Sequence, residues 1–133
     1  MSDLELMQAA EDARNKAYSP YSGFKVGAAL LTKSGRLYVG CNIENASFTP
    51  TVCAERVAFF SALHDGQRSF SAIAIVGGAG KDIPDKYCAP CGVCLQVISE
   101  FCSGDFKIIL SDGKEPRIFT LDELLPNRFK LTK

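Results

Sequence analysis

The chain has 133 residues and a mass of 14.4 kDa, a size that predicts one domain spanning residues 1–133 with a core that needs no disulfide. Lysine and arginine together number 15, and so do aspartate and glutamate, so the net charge is zero and argues against a nucleic-acid partner. No apolar run approaches the ~18–20 residues that span a bilayer, so we expect no membrane partner.

Apolar spacing, caps and turn residues predict secondary-structure elements in the order α-β-β-α-β-α-β-β-α. A capping box at Ser2–Glu5 opens the first helix, which runs to about Lys16. Glycine and proline residues predict loops at 18–23 and 77–90. The predicted strands are 24–31, 36–41, 70–76, 107–110 and 117–120, and the later helices are 53–63, 91–101 and 121–124.

The central elements predict a three-layer α-β-α domain with a mixed sheet of about five strands. Residues 36–110 read as a parallel β-α-β-α-β unit with right-handed crossovers. If its strands lie side by side in chain order, both crossover helices begin at the carboxyl edge of the sheet, where open α/β sheets place their sites. Cys53 opens the first of these helices, and Cys91 and Cys94 open the second. The topology therefore brings three cysteines to one place.

The N-terminus indicates the cellular compartment, and the redox state of that compartment indicates which roles the six cysteines can have. Residues 1–5 are acidic and lack the apolar core of a signal peptide, so we expect a cytoplasmic location. In a reducing compartment, cysteines serve as metal ligands, catalytic groups or core residues before they serve as disulfides. Cys41 and Cys102 are predicted to be core residues.

Three of the other cysteines belong to two coupled motifs, Cys-Ala-Glu-Arg at 53–56 and Pro-Cys-Gly-Val-Cys at 90–94. The pattern C-x-E followed by P-C-x-x-C is the zinc deaminase signature with cysteine in place of histidine. Three protein ligands leave the fourth zinc position open for water, which is typical of a catalytic site. Glu55 can face that open side without being a ligand and can transfer protons during the reaction.

Charge balance identifies a role for Arg56. Three thiolates give a Zn²⁺ site a net charge of −1, which would acidify a bound water poorly. The N-termini of two helices contribute roughly +0.5 each. Arg56 lies three residues after Cys53, so its guanidinium can donate to the thiolate sulfurs and add a further positive charge.

Five segments in this order resemble the small homotetrameric cytidine deaminases. Two positions depart from the usual pattern of that family: Leu95 stands where an arginine follows the last zinc cysteine, and Phe48 stands where many members have tyrosine. The resemblance implies hydrolytic deamination of cytidine and 2′-deoxycytidine in pyrimidine salvage, with one zinc per chain. The segments that carry it are 19–30, 41–46, 53–56, 90–94 and 124–129.

The resemblance also implies which residues bind the nucleoside. Phe24 matches the aromatic residue that packs near the pyrimidine, and Asn42 and Glu44 match the ribose-binding positions. Because the last two are separated by one residue, their side chains can face one ligand, and amide and carboxylate groups suit sugar hydroxyls. Phe129 matches a phenylalanine that reaches into a neighbouring subunit and covers the base, which implies a homotetramer with shared sites.

Other interpretations of the motifs stay open. Cys88 could be the fourth ligand of a structural zinc site. Cys88, Cys91 and Cys94 also have the spacing that begins a ferredoxin cluster motif, although no C-x-x-x-C-P run follows. Within the deaminases, the alternative substrate is a related cytosine nucleoside such as a nucleoside antibiotic. An enzyme that edits RNA or DNA is not expected at zero net charge.

Overall fold

The computed structural model describes residues 1–79, 87–112 and 114–131. Its helices and strands follow the predicted order. Among the described residues, no helix has the length and apolar character needed to cross a membrane. The elements are α1 (Asp3–Arg14), β1 (Phe24–Thr32), β2 (Leu37–Cys41), α2 (Ala54–His64), β3 (Phe70–Ala79), α3 (Gly92–Phe101), β4 (Lys107–Ser111), β5 (Pro116–Thr120) and α4 (Leu121–Leu124).

The five strands form one mixed sheet in the order β2-β1-β3-β4-β5. β1 pairs antiparallel with both β2 and β3, β3 pairs parallel with β4, and β4 pairs antiparallel with β5. The expectation that the β-α-β-α-β strands lie side by side in chain order is therefore wrong, because β1 lies between β2 and β3. Residues 28–30 of β1 are fully buried, so this strand needs a neighbour on each side, whereas β2 is short and half-exposed and suits an edge.

The inserted strand does not change the direction of the others. β2 and β3 both run opposite to β1, and β4 runs with β3, so β2, β3 and β4 all end at the same edge of the sheet. α2 follows β2 and α3 follows β3, and the N-termini of both helices therefore lie at that edge. Cys53, Cys91 and Cys94 therefore lie together at the carboxyl edge of the sheet, as the sequence predicts.

Helices cover both faces of the sheet, which confirms the three-layer fold. On one face, Leu6 and Ala10 of α1 pack against alternate residues of β1, β3 and β4. On the other face, α2, α3 and α4 pack against the intervening residues, and Phe59 is fully buried there. Gly40 permits α2 to approach closely, because a Cβ atom at this position would lie 2.4 Å from the carbonyl oxygen of Ala54.

Some element boundaries differ from the prediction. β3 continues to Ala79 because residues 77–79 pair with residues 24–26 at the start of β1, so this part of the predicted loop is strand. Residues 80–86 of that loop lie outside the described residues, and residues 87–90 form neither helix nor strand, as predicted. Cys102 is buried in the core as expected, whereas Cys41 is only half-buried at the end of the edge strand.

Candidate active site

Three thiols meet where α2 and α3 begin. Cys53 is the N-cap residue of α2, Cys91 is the N-cap residue of α3, and Cys94 lies in the first turn of α3. The Sγ atoms of Cys53 and Cys91 are 3.9 Å apart, and those of Cys91 and Cys94 are 3.6 Å apart. A tetrahedral zinc with Zn–S bonds of about 2.3 Å places its sulfurs about 3.8 Å from one another. The three thiols therefore have the spacing of three corners of a zinc site.

Positive charge stabilises the thiolate at one corner of this cluster. The Nη2 atom of Arg56 donates to the Sγ atom of Cys53 at 3.5 Å, as the charge balance predicted. Hydrogen bonding from Cys94 and from Arg56 lowers the pKa of Cys53 to about 5, although partial burial opposes this. In return, the hydrogen bond to Cys53 raises the pKa of the Arg56 guanidinium. At Cys53 the site thus favours the deprotonated sulfur that a metal ligand requires, whereas the hydrogen bond to Cys53, together with burial, raises the pKa of Cys94.

A buried carboxyl group stands beside the thiols. Glu55, in the first turn of α2, is only 4% exposed. Its burial, and secondarily the negative charge of Cys53, raise the pKa of Glu55 to about 7. A carboxyl group with a pKa close to neutrality can both accept and release a proton at physiological pH.

A small cavity, which we call the metal cavity, adjoins this cluster, and a second depression, which we call the outer depression, shares one lining residue with it. The metal cavity, of about 180 Å³, contains Cys53, Glu55 and Cys91, and the outer depression is about 380 Å³. Thr51 lies in the walls of both. The remaining lining residues are Val26, Asn42, Val52, Ala54, Cys88 and Ala89 in the metal cavity, and Tyr21, Ser22, Glu44, Asn45 and Phe48 in the outer depression.

A larger cavity, of about 440 Å³, lies between α1 and β2, but neither the three clustered thiols nor Glu55 line it. Size alone therefore does not locate the chemistry in this fold. The cluster of titratable side chains and the polar groups beside it locate the candidate active site instead.

The predicted sugar-binding residues separate between the two depressions. Asn42 lies in the metal cavity, and its amide is held on both sides by β1: the Oδ1 atom accepts from the N–H of Val26 at 2.8 Å, and the Nδ2 atom donates to the carbonyl of Phe24 at 2.9 Å. Phe24 itself is 41% exposed at the start of β1. Glu44 lies in the outer depression.

The remaining predicted residues take different positions. Phe129 is 68% exposed and lines neither depression, so it points away from the core of its own chain. Leu95 packs into the core between α2, α3 and the sheet, and Phe48 is 74% exposed with a φ of 61°. Cys88 lines the metal cavity but does not belong to the three-thiol cluster, and burial raises its pKa to about 11. The structure thus does not favour the four-cysteine alternative.

Sequence reasoning missed several lining residues, among them the hydroxyl-bearing Ser22 and Thr51. Ser22 belongs to the turn that precedes β1, and Thr51 lies two residues before Cys53. Their proximity to conspicuous motifs is a signal that could have singled them out.

Residues 1–110 match the family described as the cytidine and deoxycytidylate deaminase zinc-binding region. The cytidine deaminase of Sporosarcina psychrophila is 46% identical over 129 residues, which cover 96% of this chain and 91% of that protein. The crystal structure of cytidine deaminase from Burkholderia pseudomallei superposes with a TM-score of 0.89 at 45% identity, covering 97% of this chain and 100% of that one. The blasticidin-S deaminase of Bacillus cereus is 34% identical over 96% of this chain and 91% of its own.

The chain belongs to the zinc-binding cytidine and deoxycytidylate deaminase family. The resemblance that the motifs carried is thereby confirmed, together with the α/β fold and the zinc cofactor. An iron–sulfur carrier is excluded as the family of this chain.

Proposed function

We propose that the chain catalyses the hydrolytic deamination of cytidine and 2′-deoxycytidine, which gives uridine or 2′-deoxyuridine and ammonia. One observation carries this proposal: the three-thiol cluster has the spacing of a zinc site, and two of its members, Cys53 and Cys91, line a small cavity together with the buried carboxyl group of Glu55. The family and the cytidine deaminases that match nearly the whole chain support the same reaction.

In this proposal Cys53, Cys91 and Cys94 hold the zinc. When bound there, zinc supplies a nucleophile for C4 of the cytosine ring at neutral pH by acidifying water. The Glu55 carboxylate accepts the proton released by the water and delivers it to N3 of the ring. The proton of the hydroxyl group added at C4 then passes through Glu55 to the C4 amine, so that the C4–N bond breaks, ammonia leaves and the C4 carbonyl of uridine forms. Arg56 keeps Cys53 deprotonated throughout, since its guanidinium lies at hydrogen-bond distance.

The sugar is bound by Asn42 and Glu44 in this scheme. Thr51 borders both the metal cavity and the outer depression, so a nucleoside with its base at the thiols can extend its sugar toward Glu44. Among the described residues that line the two depressions, none is lysine or arginine. A 5′-phosphate would therefore approach a carboxylate and find no basic partner among these described lining residues.

Cytidine is expected to be a better substrate than either cytosine or cytidine monophosphate. Cytosine forfeits the hydrogen bonds of its missing sugar, and the loss of one hydrogen bond to a charged group lowers kcat/KM by about tenfold or more. Competition among the three compounds, followed by chromatography of the products, measures the order. A preference for the monophosphate would contradict the proposed roles of Asn42 and Glu44.

The reaction itself is tested by the ultraviolet absorbance of cytidine. The zinc-loaded protein should convert the spectrum of cytidine to that of uridine and release one equivalent of ammonia. Prior treatment with a strong chelator should stop the conversion, and added zinc should restore it. A zinc-loaded, folded protein that leaves cytidine unchanged would overturn the proposal.

A second candidate substrate is a cytosine-containing nucleoside antibiotic, which the similarity to a blasticidin-S deaminase supports. The ordinary nucleosides are favoured because Asn-Ile-Glu at 42–44 and Phe-Lys-Val-Gly at 24–27 are the segments that resemble the cytidine deaminases. The kcat/KM values of cytidine and blasticidin S, measured on one preparation, separate the two functions.

We further propose a cytoplasmic homotetramer that serves pyrimidine salvage. The six cysteines all lie in the described part of the chain and are free thiols, which suits a reducing compartment. The exposed aromatic ring of Phe129, close to the C-terminus, is available to a neighbouring subunit.

Phe129→Ala is expected to raise the KM for cytidine while the zinc content stays full, because an aromatic face on the base is worth roughly 0.5–1.5 kcal/mol beyond its buried area. Leu131→Ala is the matched control, since Leu131 is an equally exposed apolar residue of the same segment. Steady-state kinetics and zinc analysis measure the two effects.

A mixing experiment tests whether Phe129 acts on a neighbouring subunit. Chains with Glu55→Gln lack the carboxylate but keep Phe129, and chains with Phe129→Ala are the reverse. If sites are shared, co-refolded mixtures contain sites with both residues and bind cytidine better than the Phe129→Ala protein alone. Activity equal to the sum of the two parents, or a monomeric mass in solution, would exclude shared sites.

A further inference from the structure

The carboxylate of Glu44 is held by the turn that precedes β1. The N–H groups of Tyr21 and Ser22 donate to its Oε1 atom at 3.0 and 3.1 Å, and the hydroxyl of Ser22 donates to its Oε2 atom at 2.5 Å. These donors lower the pKa of Glu44, with the hydroxyl of Ser22 making the largest contribution. Glu44 therefore presents a negatively charged carboxylate whose orientation is set by its neighbours.

Ser22 connects this carboxylate to the other substrate-facing residues. Its Oγ atom accepts a hydrogen bond from the N–H of Phe24 at 3.0 Å, so its own hydrogen is directed to Glu44. The carbonyl group of Phe24 in turn accepts from the amide of Asn42 at 2.9 Å. The backbone of Phe24 thus connects Asn42 in the metal cavity to Ser22, and the hydroxyl of Ser22 connects it to Glu44 in the outer depression.

We propose that Ser22 is a positioning residue that holds Glu44 in the orientation in which it binds a sugar hydroxyl. The inference rests on the proposed function, in which Glu44 contacts the sugar. An ionised carboxylate offers about four lone-pair positions, and the turn occupies three of them. One position remains, and the hydroxyl of Ser22 determines where it points, because it is the donor on Oε2.

The experiment compares zinc-loaded variants by their inhibition constants for two product-like probes. Uridine carries the sugar, whereas 1-methyluracil has a methyl group in its place. The variants are Ser22→Ala, Ser22→Thr, Glu44→Gln and the double variant Ser22→Ala with Glu44→Gln. Ser34→Ala is the matched control, because Ser34 is a serine whose hydroxyl bonds within the hairpin turn at the opposite end of β1. Thermal unfolding checks that each variant is folded.

Ser22→Ala should weaken uridine binding about three- to tenfold, the effect of one hydrogen bond, and leave 1-methyluracil binding unchanged. It should raise the KM for cytidine more than it lowers kcat. Ser22→Thr, which retains the hydroxyl, should restore uridine binding. The double variant should bind uridine no more weakly than Glu44→Gln alone, because Ser22 acts through Glu44.

Several outcomes would overturn the inference. If Ser22→Ala weakens uridine and 1-methyluracil equally, Ser22 supports the loop as a whole rather than Glu44. If its effect adds fully to that of Glu44→Gln, Ser22 acts independently of the carboxylate. If Glu44→Gln itself leaves uridine binding unchanged, the role of Glu44 in the proposed function fails. A loss confined to Glu44→Gln would refute the positioning role of Ser22 while that function stands.

Discussion

Replacing Glu55 with glutamine is expected to remove nearly all turnover while the protein stays folded and zinc-loaded. Glutamine has the shape of glutamate and can form hydrogen bonds, but it cannot accept and release a proton. A positioned general acid–base group contributes ~10²–10⁴-fold to a rate, and in the proposed mechanism one carboxyl group transfers every proton. The measurement is kcat for cytidine together with zinc per chain.

The burial of Glu55 makes this variant a sharp test. The side chain of Glu55 is almost completely shielded from solvent. A glutamine amide can occupy the same space, because it differs little in volume from the carboxyl group. Glu115→Gln is the control, because Glu115 is exposed and lines neither depression. A Glu55→Gln protein that retained substantial activity would show that another residue transfers the protons.

Local signals in the sequence were sufficient for the individual elements. The capping box of Ser2 and Glu5 is present with both of its hydrogen bonds, and Cys53 and Cys91 open helices as predicted. These features depend on residues only a few positions apart. Apolar spacing and capping chemistry therefore suffice to predict them.

Strand neighbours depend on distant residues, and here the prediction failed. The insertion of β1 between β2 and β3 pairs residues that lie more than forty positions apart, such as Ala29 and Ala74. Hydrophobic periodicity gives each strand its faces but not its partners. The wrong strand order did not affect the predicted directions of β2, β3 and β4. For this reason the position of the thiol cluster was still predicted correctly.

Gly77 illustrates a signal that was misinterpreted. The glycine and proline content of residues 77–90 predicts a loop that begins at Gly77, but Gly77 lies near the end of β3 and pairs with Val26 of β1. A Cβ atom there would lie 2.8 Å from the Sγ atom of Cys88 and 3.1 Å from the ring of Phe24. Because Gly77 has no side chain, Cys88 and Phe24 can both pack directly against the backbone of β3 at this position. Only the tertiary structure reveals this close approach.

Removal of a proposed zinc ligand is expected to abolish both zinc binding and activity. Cys53→Ala should lower the zinc content from one per chain to nearly none and abolish deamination, because two thiolates hold zinc poorly. Elemental analysis of protein purified without added chelator gives the metal content. The wild-type protein should be colourless, whereas an iron–sulfur cluster would make it brown.

Two further cysteines provide the controls for Cys53→Ala. Cys41→Ala should keep full zinc, because Cys41 lies at the end of β2 and outside the three-thiol cluster. Cys88→Ala is more discriminating, since Cys88 lines the metal cavity and was the candidate fourth ligand. Its replacement should also leave one zinc per chain, because the cluster already supplies three thiols at the required spacing and the fourth position must stay open for catalysis. Loss of zinc from Cys88→Ala would indicate a closed, structural site, and full zinc in Cys53→Ala would refute the ligand assignment altogether.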